Sequence, residues 1–274
     1  DMDALPIQEE TGHDFASTHP GVMHACGHDS HMAMALVAAT VMNRITDRLR
    51  GSIKFVFQPA EEGPGGAAPM IASGVLESPA VDFALGCHIW PNIAEGTIGV
   101  RSGPLMASMF RFDITIKGKG GHGAMPHLCV DALETGSQVV GALQRIVSRH
   151  MDPLSPSVIT VGQFNAGSAF NVIPEVATLA GTARTFDRSV WKSWPGRIES
   201  VVRGVCSAMG ADYEISFDPG YPPTVNDPGM SDTVIAAAEK VVGSEQVVVP
   251  SRTLGGEDMA FFLEKVPGCF FCLG

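Results

Sequence analysis

The sequence predicts an α/β domain, with a mostly parallel sheet and helices on both faces, interrupted by an inserted α+β domain of ferredoxin-like βαββαβ order. Three features carry this reading. The first part of the chain alternates helix and strand signals, the rhythm of a parallel α/β layer. Near residue 108 the pattern turns to a two-residue alternation and then runs strand, helix, strand, strand, helix, strand. After Pro219 the helix–strand rhythm resumes. The outer domain is therefore expected at 1–107 plus 219–274, and the insert at 108–218.

Each element has a local reason. "DSHMAMALVAATVMNRI" (29–45) reads as a helix that Asp29 or Ser30 can cap, with few breakers after it. "SIKFVFQ" (52–58) reads as a strand ended by Pro59, and "VDFALGCH" (81–88) as a second strand. In "MFRFDITIK", Phe110, Phe112, Ile114 and Ile116 face one way while Arg111, Asp113, Thr115 and Lys117 face the other, a strand with one wet side. A helix follows at about 130–149, then strands at "SVITVGQF" and "EVATLAGTA". The next helix, within 189–209, is expected to be interrupted near Pro195, because proline removes a helical hydrogen bond. "DYEISFD" closes the insert, and "SDTVIAAAEKVV", "QVVVP", "EDMAFFLEK" and "GCFFCLG" return to the α/β rhythm.

Composition bounds the function. The 274 residues are 45% hydrophobic, enough for one large core or two smaller ones. A net charge of -11 argues against nucleic acid and anionic membrane as partners. No apolar run reaches the roughly 18 residues that a spanning helix needs. The six cysteines are scattered rather than arranged as a disulfide scaffold, which fits a reducing, cytoplasmic setting. Cys269 and Cys272 form a CxxC, but they flank Phe270 and Phe271 and read as a buried strand rather than a redox or zinc motif.

Chemistry concentrates at three places. "MHACGHDSH" (23–31) holds three of the nine histidines together with Cys26. In extended chain, Cys26 and His28 point the same way and can reach one ion, and thiolate with imidazole suits zinc and similar metals. By itself the pair is as compatible with a structural role. "FQPAEEGPGG" (57–66) puts Glu61 and Glu62 after a strand signal, in a glycine-rich turn where open α/β sheets carry their sites. Adjacent residues of extended chain point to opposite sides, so one glutamate can bind a metal while the other takes a proton from water. Alone, such a pair is more simply a solvated acidic turn. His88, in "GCHIWP", closes an apolar strand, where a lone histidine is ordinarily structural. Three such strand-end sites in one layer are harder to dismiss.

With "DMDALPIQEE", "HACGHD", "FQPAEEG", "GCHIWP", "GKGGHGAMPH", "NVIP", "GTART" and "GGEDMAFF" in this order, the chain resembles the M20 metallopeptidase family. The likeness is to its amidohydrolase branch of hippurate and auxin-conjugate hydrolases, over nearly the whole chain. The resemblance implies a hydrolase of N-acyl amino acids with two divalent ions, zinc, manganese, cobalt or nickel. By motif, Cys26, His28, Glu62 and His88 match the metal ligands, Glu61 the general base, and Asp3 an aspartate that orients the metal site. His122 matches a histidine that stabilises the oxyanion, sometimes from a partner subunit; Asn171 and Arg184 match substrate-binding positions. The insert would act as a lid and dimerisation domain, allowing a homodimer. Taken singly, His122, Asn171 and Arg184 read as structural, and His24, His31 and His127 are not carried over. A dipeptidase or aminopeptidase, an N-acetyl-diaminopimelate-type deacetylase and an inactive metal-binding fragment are the alternatives. Family members also have elements before the "DMDALP" position and a last histidine ligand beyond "GCFFCLG". No histidine follows His150, so the chain is expected to be a fragment of a longer enzyme or the product of an incompletely defined gene.

Overall fold

A computed structural model describes residues 1–274. In chain order it starts with α1 (His28–Arg44), α2 (Ala67–Ala72), β1 (Ala84–Ile89), β2 (Ile98–Gly99) and β3 (Gly103–Met106). Next come β4 (Arg111–Lys117), β5 (Gly121–His122), α3 (Ala132–His150), β6 (Ser157–Ala166), β7 (Val172–Ile173), β8 (Val176–Thr185), α4 (Arg188–Met209) and β9 (Asp212–Asp218). The last stretch holds β10 (Thr224–Asn226), α5 (Pro228–Val242), β11 (Val247–Val248), α6 (Ala260–Leu263) and β12 (Gly268–Leu273). Residues 1–105, 224–252 and 257–274 form one compact unit, and 106–223 with 253–256 form a second. No helix is long and apolar enough to cross a membrane.

The first unit is built on a sheet of order β1-β12-β2-β11. β1 runs parallel to β12 and β11 parallel to β2, but β12 meets β2 antiparallel. Two of the three pairings are parallel, as the sequence suggests, and the antiparallel meeting of β12 with β2 makes the sheet mixed: alternating helix and strand signals do not set the direction of a strand two residues long. Residues 52–58 are a second correction, because they pair with no strand. β-propensity is realised only where a neighbouring strand exists to pack against. Lys54 in this stretch instead donates from Nζ to the carbonyl oxygens of Val75, Glu77 and Pro79, at 2.8, 2.6 and 3.2 Å. Neither Asp29 nor Ser30 caps α1. The cap position is Gly27, at φ 79, and a Cβ there would lie 2.1 Å from Ile89 Cδ1. The helix thus begins one residue earlier, with His28 in its first turn. Cys269 and Cys272 are buried free thiols in β12, in line with the reading of that CxxC as core strand.

The second unit has an antiparallel sheet of order β6-β8-β4-β9. Phe112, Ile114 and Ile116 of β4 are buried while Arg111 and Lys117 are exposed, as the alternation predicts. They share one core with Val139, Leu143 and Ile146 of α3 and Trp194, Ile198 and Val202 of α4. Asp131 caps α3 by accepting from the amides of Leu133 and Glu134, and Asp187 caps α4 through Ser189 and Val190. α4 runs through Pro195 without the expected interruption. An interior proline costs a helix about 3 kcal/mol. Trp194 and Ile198 on either side are fully buried, and that packing outweighs the loss.

Candidate metal centre

His28 is fully buried, and neither ring nitrogen has a hydrogen-bond partner. Carboxylate oxygens stand around it at more than hydrogen-bond distance: Asp3 Oδ1 3.5 Å from Nδ1, Asp1 Oδ2 3.5 Å from Nε2, and Glu62 Oε1 4.0 Å from Nε2. Buried polar atoms are almost always paired, so an unpartnered imidazole ringed by carboxylates is the signature of a place for a cation. His88 is prepared in another way. Its Nδ1 lies 2.6 Å from the Ile89 carbonyl oxygen, which can only accept. The proton is therefore on Nδ1, and the Nε2 lone pair faces Cys26 Sγ at 3.4 Å. Donation of one ring N–H to a backbone carbonyl is how metal-binding histidines are held. Burial pushes His88 down to about 4 and keeps it neutral, as a ligand must be. Burial, then the Glu62 charge, pushes the Cys26 thiol up to about 12.

Donor atoms of Cys26, His28 and Glu62 lie within 4.8 Å of one another, and so do those of Asp1, His28, His31 and His88. Sulfur, nitrogen and carboxylate oxygen at this spacing fit a divalent ion of the zinc type. His31 is a different matter from its neighbours. Its Nε2 accepts from the Ile89 amide at 3.0 Å, which leaves the proton on Nδ1, 2.6 Å from Asp1 Oδ1. Both nitrogens are engaged, so His31 orients Asp1 and has no lone pair left for an ion.

The Glu61–Glu62 turn is held by Asp3, which accepts from the Glu61 amide at 3.0 Å through Oδ1 and the Glu62 amide at 2.9 Å through Oδ2. Burial works against that carboxylate, but the amides of Glu62 and Glu61 keep it below its ordinary value. The two glutamates do diverge, though not because the chain is extended. Ala60 sits at φ 61 and starts a turn. Glu62, partly exposed, joins Cys26 and His28, whereas Glu61 is buried with Glu257 and Asp258. Burial, then the Glu257 charge, pushes the Glu61 carboxyl far above the ordinary carboxylate range.

In the second unit, β5 pairs with β7 through Gly121–Ile173 and His122–Val172, and the Gly123 amide donates to the Asn171 carbonyl oxygen at 2.8 Å. His122 and Asn171 are thereby brought together. His122 is exposed, and its Nδ1 accepts from the Ala124 amide at 3.1 Å, so its proton is on Nε2, facing outward. Arg184, on β8, is half-buried, donates from Nε to Thr182 Oγ1 at 3.2 Å, and has no acidic partner. His127 is exposed and His24 half-buried; neither joins a metal-binding group. Sequence reasoning missed Asp1 as a neighbour of His28, and it missed that Glu257 and Asp258 stand beside Glu61. The "GGEDM" pair of carboxylates after two glycines was the available signal.

Residues 1–274 match the family model described as peptidase family M20/M25/M40. The chain is 52% identical over 227 residues to an N-acyl-L-amino acid amidohydrolase of Geobacillus stearothermophilus, covering 82% of this chain and 61% of that protein. It is 43% identical over 274 residues to an N-acetyl-L-cysteine deacetylase of Bacillus subtilis, covering 100% of this chain and 65% of that one. Among solved structures it resembles the Bacillus subtilis YXEP protein, a dinuclear metal-binding peptidase of the M20 family, with a TM-score of 0.84 and 37% identity over 99% of this chain and 69% of that one. The chain thus spans less than two thirds of the length of those two enzyme relatives. With a cation-ready donor cluster, a separately buried glutamate and a family match from its first residue to its last, the chain belongs to the M20/M25/M40 peptidase family of hydrolases.

Proposed function

We propose that this chain holds two divalent ions through Cys26, His28, Glu62 and His88 and hydrolyses the amide bond of N-acyl amino acids to a carboxylic acid and a free amino acid. The observation that carries the reading is the divergence of the adjacent glutamates, Glu62 toward Cys26 and His28, Glu61 into its own buried position. The relatives that cleave N-acyl and N-acetyl amino acids support the substrate class, and the dinuclear M20 peptidase supports the number of ions. Bound ions would lower the pKa of water and polarise the scissile carbonyl. Glu61 accepts a proton from the attacking water and passes it to the leaving amide nitrogen. Asp3 fixes the turn that carries this carboxylate. His122 presents Nε2–H to the oxygen that gains charge, and Asn171 beside it contacts the amino-acid half.

Arg184 offers a two-pronged donor to the substrate carboxylate. Its lack of an acidic partner favours a free carboxylate over the free ammonium that an aminopeptidase would bind. Glu61→Gln should keep metal and lose turnover on benzoyl-glycine, because an amide accepts no proton; Glu62→Gln should lower metal content. The opposite pattern would mean that the two roles are exchanged. Arg184→Met should cost free-acid substrates about 1.5–3 kcal/mol and largely spare their esters and amides. Equal loss on both would assign Arg184 to folding.

A further inference from the structure

The Glu61–Glu62 turn is pinned at its base as well as its tip, by a residue from far along the chain. Asp258 is fully buried. Its Oδ1 accepts from Gln58 Nε2 at 2.6 Å, and its Oδ2 accepts from the amides of Gly66 and Ala67, both at 2.9 Å. One carboxylate therefore ties together both ends of the loop that carries the two glutamates. The amides it satisfies are those at the start of α2, where Gly66 provides no side-chain cap. Closure is tight: a Cβ on Gly66 would lie 1.9 Å from the Pro59 carbonyl oxygen. Inside the loop, Ala60 holds a left-handed conformation that a non-glycine residue keeps only when its surroundings enforce it. The preceding residue, Glu257, has its carboxylate within 4.8 Å of Glu61.

We infer that Asp258 is a positioning residue for the metal centre, one that fixes the divergence of Glu61 and Glu62 by clamping residues 58 and 66–67 and so sets whether Glu62 reaches Cys26 and His28. This rests on the reading of Glu62 as a metal ligand. Asp258→Ala removes the clamp and leaves buried donors unpaired. Asp258→Asn can keep it: the asparagine oxygen accepts from the two amides, and its N–H meets the oxygen of a turned Gln58 side chain.

The experiment is a Co²⁺ titration, by calorimetry well below the melting temperature, of the parent, Asp258→Ala, Asp258→Asn, Glu62→Gln and the double variant Asp258→Ala/Glu62→Gln. Val234→Ala, in the separate core beside β12, serves as a destabilised control. Asp258→Ala should bind Co²⁺ about 10–100-fold more weakly, the range for loss of a ligand-orienting partner. Asp258→Asn should stay close to the parent, Val234→Ala should bind normally, and Asp258→Ala should cost little further in the Glu62→Gln background. If Glu62→Gln weakens binding and Asp258→Ala does not, or if Val234→Ala weakens it as much, the positioning role is overturned. If Glu62→Gln binds like the parent, the ligand assignment falls, and this inference with it.

Discussion

The two units bury different things. In the second, the fully buried side chains are mostly apolar, from Phe112 and Ile114 to Leu143 and Trp194, and helix caps at Asp131 and Asp187 are satisfied locally. In the first, the buried set includes His28, Glu61, His88, Glu257 and Asp258. There an imidazole lacks partners and carboxylates crowd one another. The contrast teaches that the second unit is organised round an apolar core, with Trp194 Nε1 and Glu134 Oε2 its buried polar atoms without a partner, whereas the first gathers an imidazole and carboxylates that a cation would reconcile. Stability of the first should follow metal, and stability of the second should not.

The largest effects would come from attacking each unit where it is strongest. Trp194→Ala should destabilise the second unit by about 3–5 kcal/mol and leave metal affinity unchanged. An ion at about a thousand times its Kd should stabilise the first unit by about 4 kcal/mol and leave the second where it was. Calorimetric scans with and without chelator would check both, and a metal-dependent shift of both transitions would break the contrast.

A smaller effect is expected from pH. In the metal-free chain, burial lowers the pKa of His28, His31 and His88 and raises that of Glu61 and Glu257. A lowered histidine gives stability that is present above about pH 6.5 and lost as pH falls toward its folded value. A raised carboxyl gives stability that is present below about pH 4.3 and lost as pH rises through its folded value. Above about pH 6.5 the carboxyl contribution still changes, joined above about pH 8.5 by the raised thiols with the same sign, so the Tm of the metal-free first unit should fall as pH rises. Saturating metal should reverse the slope, because protons compete with the ion for its ligands. Scans across pH would check the sign. The smallest effect is at Ala60, where Ala60→Gly relieves a left-handed conformation and should stabilise the first unit by at most about 1 kcal/mol.

The second unit was the more legible from sequence. Phe112, Ile114 and Ile116 alternate because a strand with one wet face needs only a period of two, and the strand and helix signals there have the observed order. In the first unit, Cys26, His28, Glu62 and His88 could be picked out by residue type and motif, and the structure gathers Cys26 with His28 and Glu62, and His28 with His88. What brings them to those positions was not legible. Asp258 meets Gln58 across 200 residues and Gly66 across 192, and no local period encodes such a pairing. The orientation of Asp1 by His31 depends likewise on the Ile89 amide, 58 residues away from His31. Residues 52–58 look like a strand in composition, but the pairing partner that would make them one is a tertiary fact.

The most direct measurement is the absorption spectrum of the chain during Co²⁺ titration. Without metal the half-buried Cys26 is a thiol, its pKa pushed up to about 12, and an ion bound there must displace that proton. A thiolate-to-cobalt charge-transfer band should therefore grow in the near ultraviolet, with protons released as it grows. It should persist in Glu61→Gln and vanish in Cys26→Ser. Co²⁺ binding without that band, or a band that survives Cys26→Ser, would contradict the assignment of Cys26, His28, Glu62 and His88 as the metal centre.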